Sequence, residues 1–423
     1  MKFVPTQHVL LIAIAALSTH ETMGFSTPPS STHAIRSLRL HAKPARFEEN
    51  VDGPLYVNDK CINCAACSHF APTVFSRASR DYGHIVHHQP STDEEILAAR
   101  ASLAACPVAA IRVETSADRH HRGMDAPTPD AQALAPKLAI NPKFNGLELP
   151  FPRPVAADVA PGVYFVGHHN DKSFGATPYL VSTRTSTQTD NDDDDETNEA
   201  WIMVDSPRYS KSAVSAVEKV TGSNGPRYMF LTHVDDTADH QKWIEHYPSM
   251  KRIFHSGDLG RHNWIGDKNL ETVEILLQNA ADGAQNDDPT SPLQAYRLDG
   301  SPIDSLEANE DDAVILHTPG HSPGSITLWK KPNKDSCGIL FTGDTYGYTT
   351  RDGGHMTGFP RYGNNMKVLQ QTLDKFMQMN AGETQAWSMI VPGHGHLRDY
   401  TKLDGDTMLQ DFVDAVAEMK QYS

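Results

Sequence analysis

From about residue 161 onward the chain alternates short apolar runs with polar, turn-forming stretches. Residues 163–166, 179–182, 201–205, 228–232, 252–255, 313–317, 326–329, 339–342 and 389–391 read as strands. Residues 210–220 and 366–378 place apolar side chains at helical spacing and read as amphipathic helices. Upstream, residues 94–105 form another helical stretch, stopped by Cys106-Pro107. Two polar runs interrupt the pattern. Residues 187–199 (TQTDNDDDDETNE) read as a solvated hairpin extension, and residues 279–291 as a second loop insertion.

The N-terminal pattern is different. Residues 9–17 (VLLIAIAAL) are an apolar run behind Lys2, too short to span a bilayer and suited to a cleavable signal peptide. Residues 25–46 are rich in Ser, Thr and Pro, with four basic residues and no acid, which is transit-peptide composition. The pair resembles the bipartite leader of algae with secondary plastids, with Phe25 opening the transit section. The expected destination is the plastid stroma, with the secretory pathway as the alternative. The expected divisions are a leader at 1–47, a small domain at 48–115, a linker at 116–154 and a larger domain at 155–423.

Composition adds limits. A chain of 423 residues with 39% hydrophobic and 21% charged residues has ample material for two globular domains. The net charge of −16 argues against nucleic acid and anionic membranes as partners. Residues 1–46 carry a local +4, which leaves −20 on the remainder. The expected partners are a small-molecule substrate and a redox partner, with no membrane once the leader is gone.

Candidate chemistry begins with the cysteines. Cys61-x2-Cys64-x2-Cys67 lets one turning loop present three thiolates, and Cys106-Pro107 supplies a fourth from a distance. A second cluster would need a cysteine where Ala71 stands, so one [4Fe-4S] cluster is expected. Residues 50–115 resemble single-cluster ferredoxins. A structural zinc site is the competing use of four thiolates. Four of the five cysteines have this spacing rather than disulfide spacing, which suits a reducing compartment. Cys337 precedes an apolar strand and reads as a small filler.

The second half carries an ordered set of histidine and aspartate motifs. They are Leu231-Thr232-His233, Asp239-His240, Thr318-Pro319-Gly320-His321-Ser322-Pro323-Gly324, Thr342-Gly343-Asp344 and Pro392-Gly393-His394-Gly395. Together they resemble the metallo-β-lactamase superfamily over residues 160–415. The resemblance implies an α+β ferredoxin-like domain followed by a four-layer αβ/βα metallo-β-lactamase sandwich. It also implies one or two divalent metals, zinc or iron, held by His233, Asp235, Asp239, His240, His321, Asp344 and His394. Asp344 would bridge the ions, and Asp205 would orient a ligand from behind. His168 or His169, in the 164–175 segment, and His355 or Arg361, in the loop after Asp344, are candidates to touch substrate.

One motif departs from the family form His-x-His-x-Asp-His. The chain reads His233-Val234-Asp235-Asp236-Thr237-Ala238-Asp239-His240, which is two residues longer. Asp235 is the expected replacement for the second histidine, with Asp236 the alternative. A carboxylate in place of imidazole makes the site harder and shifts preference from zinc toward iron or manganese. Flavodiiron relatives also carry a carboxylate there, and persulfide dioxygenases bind one iron through ligands equivalent to His233, His321 and Asp344. Metal-dependent hydrolysis of an ester or thioester, with Asp239 orienting a metal-bound hydroxide, is the first expectation. An iron-dependent oxidoreductase fed by the cluster is the alternative, and a non-catalytic redox sensor is the third. The superfamily hosts both chemistries, so fold alone does not choose between them.

Overall fold

Residues 44–79, 82–114, 128–140, 150–184, 199–279, 291–381 and 385–423 are described in the computed structural model. The expected leader up to residue 43, parts of the expected linker and nearly all of both polar insertions lie outside them.

The part that carries the four spaced cysteines runs β1 (Leu55–Val57), α1 (Ala66–Phe70), β2 (Phe75–Arg77), β3 (His84–Val86), α2 (Asp93–Ala105) and β4 (Ile111–Val113). β1 pairs antiparallel with β4, and β2 with β3. α2 begins with a capping box. The Thr92 hydroxyl accepts from the Glu95 amide at 3.2 Å, and the Glu95 carboxylate accepts from the Thr92 amide at 3.3 Å. Such a cap contributes about 1 kcal/mol. The helix stops where the Cys106 amide makes the last bond, to the Ser102 carbonyl, because Pro107 has no N–H with which to continue. A short helix α3 (Pro129–Lys137) follows.

The larger part builds two sheets. The first holds β5 (Arg153–Pro154), β6 (Val163–Phe165), β7 (Tyr179–Arg184), β8 (Glu199–Val204), β9 (Tyr228–Phe230), β10 (Lys251–His255) and β11 (Ile275–Leu277). Its strands lie in the order β11-β10-β9-β8-β7-β6-β5, with α4 (Lys211–Thr221) and α5 (His240–His246) between strands. The second holds β12 (Ala295–Tyr296), β13 (Pro302–Ile303), β14 (Ala313–His317), β15 (Ile326–Lys330) and β16 (Ile339–Gly343). A separate hairpin of β17 (Gly347–Thr349) and β18 (His355–Thr357), then helix α6 (Met366–Met379), lead back to β19 (Met389–Pro392) and β20 (Arg398–Asp399). Helix α7 (Gly405–Gln421) ends the chain.

The layers follow from the side-chain alternation. Val181, Ile202 and Phe230 of the first sheet meet Ile315, Leu328 and Phe341 of the second in one core. The opposite face of the first sheet packs Met203 and Phe254 on Val217 and Trp243 of its helices. The outer face of the second packs Leu316 and Ile390 on Leu373 and Phe412 of α6 and α7. This is the expected four-layer sandwich. The predicted strands and helices form with boundaries within three residues. Helices α5 and α7 and the β17–β18 hairpin lie beyond the predicted set.

The two parts share packing. Residues 45–423 form one compact unit, and Phe70, Ala101 and Ala105 of the cysteine-carrying part belong to the core between the sheets. Phe70 meets Phe151 and Phe165 edge-on, with ring centroids 5.2 and 5.1 Å away. Among the described residues no helix is long and apolar enough to cross a membrane.

Candidate metal centre and its neighbouring cluster

The first ligand segment leaves β9 and is fixed from behind. Asp205 follows β8 in a left-handed conformation, φ 53°, and is buried. Its carboxylate accepts from the Thr232 amide at 2.9 Å and the Thr232 hydroxyl at 3.0 Å. The Thr232 oxygen in turn meets His233 Nδ1 at 3.0 Å. A hydroxyl that donates to the carboxylate accepts from Nδ1–H, which turns the His233 Nε2 lone pair to the centre. Asp205 thus reaches the His233 ring through the Thr232 hydroxyl. Its burial raises its carboxyl to about 7, against the Thr232 hydrogen bonds.

A short 3-10 turn, Val234–Asp236, then folds both aspartates inward. Asp235 Oδ2 lies 3.7 Å from His233 Nε2 and 3.8 Å from His321 Nε2. Asp344 Oδ2 lies 3.9 and 3.7 Å from the same two nitrogens. Asp236 Oδ2 is 3.9 Å from His233 Nδ1 and from His394 Nδ1. His394 Nδ1 donates to Asp344 Oδ1 at 2.8 Å. The donor atoms of His233, Asp235 and His321 lie within 4.8 Å of one another, as do those of His233, Asp236 and Asp344.

The electrostatics are those of a buried cluster of opposite charges. Burial opposes the charged form of each histidine, yet the aspartates raise His233, and Asp344 with Asp236 carries His394 up to about 10. Burial also opposes the Asp344 carboxylate, but His394 and His321 hold it below the carboxylate range. Asp236 goes the other way, because burial outweighs its histidine neighbours. Buried polar atoms are normally paired. Here His233 Nε2, both ring nitrogens of His321, His394 Nε2 and both oxygens of Asp236 have no hydrogen-bond partner. Imidazole and carboxylate atoms left open toward a common point fit divalent metal.

The structure does not bring Asp239 and His240 to this centre, where the sequence reading put them. His240 Nε2 meets Asp267 at 3.0 Å, and its Nδ1 accepts from Arg252 at 3.2 Å, so both ring nitrogens are occupied. Asp239 accepts from Asn170 and the Tyr209 amide at 3.0 Å and from Lys242 at 2.7 Å. The two extra residues explain this correction. The lengthened segment includes the 3-10 turn Val234–Asp236, which buries Asp236 before the chain reaches residues 239–240.

Other candidates take varied positions. His169 is buried, with Nδ1 donating to the Gly175 carbonyl at 2.9 Å. His355 lies 3.6 Å from Glu418, and it lines the pocket over the centre together with the exposed Arg361. Cys337 is half-buried, as a filler would be. Two supports escaped the sequence reading. Trp264 Nε1 donates to Asp235 Oδ1. Buried Asp258 ties the two ligand loops together, accepting from the Val234 amide at 3.0 Å, the Ser322 hydroxyl at 2.7 Å and the Gly324 amide at 2.6 Å. A carboxylate just past the end of β10 was the signal available for it.

The four cysteines line one small cavity. Asn63 and Ala65 adopt left-handed backbone, φ 63° and 64°, which coils the loop around that space. Each such residue costs about 1 kcal/mol. Turns of this kind aim amides inward, where they suit an anionic iron–sulfur cluster. The Asn63 amide reaches Cys61 Sγ at 3.4 Å, and the Ala110 amide reaches Cys106 Sγ at 3.2 Å. Burial, together with the neighbouring thiols Cys106 and Cys61, pushes the Cys64 thiol up to about 12. Four such thiols facing one space match the ligand set of a [4Fe-4S] cluster.

The two centres face the same pocket. Its wall includes Ile62, Asn63, Cys64 and Ala65 as well as Asp235, Asp344 and His394. Gly175 allows this approach. A Cβ there would stand 2.6 Å from Cys64 Cβ and 2.9 Å from its sulfur. α1 docks directly on the last ligand loop. His69, two residues after Cys67, donates from Nδ1 to the Gly395 carbonyl at 3.0 Å, and Gly395 follows His394. The His69 and His396 rings stack at 5.3 Å with an interplanar angle of 7°.

Residues 57–113 match the family model of the 4Fe-4S single cluster domain of Ferredoxin I. No curated protein matches the chain. Similar solved structures include a metallo-β-lactamase from Erythrobacter litoralis, at 13% identity over 61% of this chain and 93% of that one, TM-score 0.37. A peroxy diiron species of the chemotaxis sensor ODP is similar at 14% identity over 60% and 89%, TM-score 0.36. A quorum-quenching N-acyl homoserine lactone hydrolase is similar at 17% identity over 52% and 79%, TM-score 0.33. Likeness at this level carries no statement about activity. The chain thus carries a single-cluster 4Fe-4S ferredoxin domain, and its solved-structure neighbours are metallo-β-lactamase-fold proteins.

Proposed function

We propose that this protein is an iron-dependent oxidoreductase that acts on a small molecule held between the metal centre and the iron–sulfur cluster. One observation carries the reading: Cys64 and its loop line the same pocket as Asp235, Asp344 and His394. Hydrolysis, the first expectation from sequence, has no use for a cluster in the substrate wall. The donor set supports the same choice, since three carboxylates beside three imidazoles suit iron better than a nitrogen-rich site would.

His233, Asp235 and His321 would hold one metal, and Asp236, Asp344 and His394 would serve a second. When bound, iron there would supply Lewis acidity and one-electron chemistry, and the cluster would supply single electrons. The protein's own groups prepare the site. Thr232 and Asp205 fix the ring of His233, and Trp264 fixes Asp235. His394 holds a proton at Nδ1 against Asp344 Oδ1. Phe174, Phe359 and Ile62 line the pocket with apolar surface. The Cys67–Ser68–His69 segment and its hydrogen bond to Gly395 give a short connected route from a cluster ligand to the residue beside His394.

The test is metal analysis of anaerobically purified protein, followed by spectroscopy of the second centre before and after cluster reduction. The expected result is more iron than one four-iron cluster accounts for, in a centre that changes redox state as the cluster does. A zinc pair that is silent to cluster reduction would overturn the proposal and restore hydrolysis.

A further inference from the structure

We infer that the pocket takes a small organic oxyanion with an apolar body, and that Arg77 and Arg351, which both line it, read its charge. The inference deepens the oxidoreductase reading by naming a substrate class for the same pocket. Arg77 comes from β2 of the ferredoxin domain, and Arg351 from the segment after β17 in the sandwich. Both line the cavity that also holds Cys64, Asp344 and His394.

The hydrogen bonding of these arginines leaves capacity for a ligand. Arg77 donates from one terminal nitrogen to Asn63 Oδ1 at 2.9 Å, and its buried Nε has no partner. Arg351 donates to the Tyr362 hydroxyl at 3.4 Å. Among the described residues neither has a carboxylate within salt-bridge distance, although exposed Asp352 also faces the pocket. Burial and the nearby Arg351 charge both act against the Arg77 cation. Asp352, which lines the same pocket with Glu418, offsets part of this repulsion, and the open guanidinium donors suit a carboxylate or a phosphate. The arrangement is not a by-product of a basic chain, since the net charge is −16.

The rest of the wall sets the body of the ligand. Ile62, Trp264 and Phe359 offer apolar faces in the same lining as the arginines and the metal carboxylates. A flat or compact apolar group with one charged end fits that division. Arg77 also gives the ferredoxin domain a part in substrate recognition, beyond electron supply. Its Asn63 partner lies between the cluster ligands Cys61 and Cys64, so charge recognition and cluster loop are mechanically joined.

The test is calorimetric titration of the as-isolated, cluster-containing protein with benzoate, phenyl phosphate and inorganic phosphate. The expected result is saturable binding of benzoate or phenyl phosphate, tighter than inorganic phosphate. Arg77→Gln and Arg351→Gln should each weaken it about tenfold, as for loss of one charge-assisted hydrogen bond. Lys334→Gln, on an exposed lysine, should leave it unchanged. Visible absorbance checks that the cluster persists in Arg77→Gln. Arg351→Gln carries the test alone if it does not. Failure of all three probes to bind, preference for inorganic phosphate, or binding indifferent to Arg351→Gln would overturn the inference. The assay needs no electron transfer. A redox-silent centre that still binds these anions would sink the oxidoreductase reading and leave the clamp standing.

Discussion

Asp236→Asn should change stability with opposite signs in metal-loaded and metal-stripped protein. The side chain is fully buried, and neither oxygen has a hydrogen-bond partner. Its nearest cationic atoms are the Nδ1 nitrogens of His233 and His394, both 3.9 Å away. Without metal, folding must bury an unsatisfied acid, a cost of about 1–3 kcal/mol. Burial raises this carboxyl on folding. A group raised in this way costs stability above its unfolded pKa, near 4, so Asn should help at pH 7 and the benefit should vanish below pH 4. With metal, the same substitution removes a ligand. An ion present at a hundred times its dissociation constant contributes about 2.7 kcal/mol, and the variant forfeits much of that. The assay is thermal unfolding at pH 7 with and without a chelator mild enough to spare the cluster, alongside metal content. The expected outcome is a midpoint a few degrees above wild type when stripped and below it when loaded. Asp239→Asn should leave metal content unchanged, because its carboxylate serves Asn170, Tyr209 and Lys242. If Asp236→Asn keeps all its metal while Asp239→Asn loses an ion, the ligand assignment drawn from the structure is wrong.

Two further outcomes test other parts of the structure. Gly175→Ala puts a Cβ 2.6 Å from Cys64 Cβ at φ +88°, combining about 1–2 kcal/mol of left-handed strain with a clash. It should speed cluster loss on exposure to air while Gly222→Ala, whose added Cβ meets nothing, does not; equal cluster lifetimes would refute the close approach. The buried His255 and His317 rings stack at 4.0 Å; burial with the His317 charge lowers His255 to about 2, and burial with the Lys375 charge lowers His317 to about 4 against its Pro323 hydrogen bond. Their folded pKa values lie below the unfolded value near 6.5, so stability should hold above pH 6.5. It should fall as pH drops toward 4, by about 1.4 kcal/mol per pH unit for each ring. His255→Gln should flatten the slope in denaturant unfolding, and an unchanged slope would exclude this pair as its source.

Much of the architecture was written locally. Periodicity places Ala313–His317 and Met366–Met379 as strand and helix because each buries one face or both faces of a short segment. The cysteine spacing needs no tertiary information, since three thiolates on one loop and one before a proline already define a cubane's corners. His233, His321, Asp344 and His394 could likewise be named from motif order, and the structure gathers all four. The failure came at the lengthened first motif. Matching Asp239-His240 to a familiar pair ignored the effect of two extra residues, and the lengthened segment includes the 3-10 turn that buries Asp236.

The meeting of the two halves was decided only by the folded chain. Nothing in the spacing of Cys61 to Cys67 says what their loop faces. That depends on α1 docking against Gly395, on Phe70 entering the core between the sheets, and on Gly175 lacking a side chain beside Cys64. Sequence determines which ligands exist because ligand chemistry and turn geometry are short-range. Which pocket those ligands share is set by contacts such as Phe70 on Phe165 and His69 on Gly395, between residues far apart in the chain, and those have no local signature.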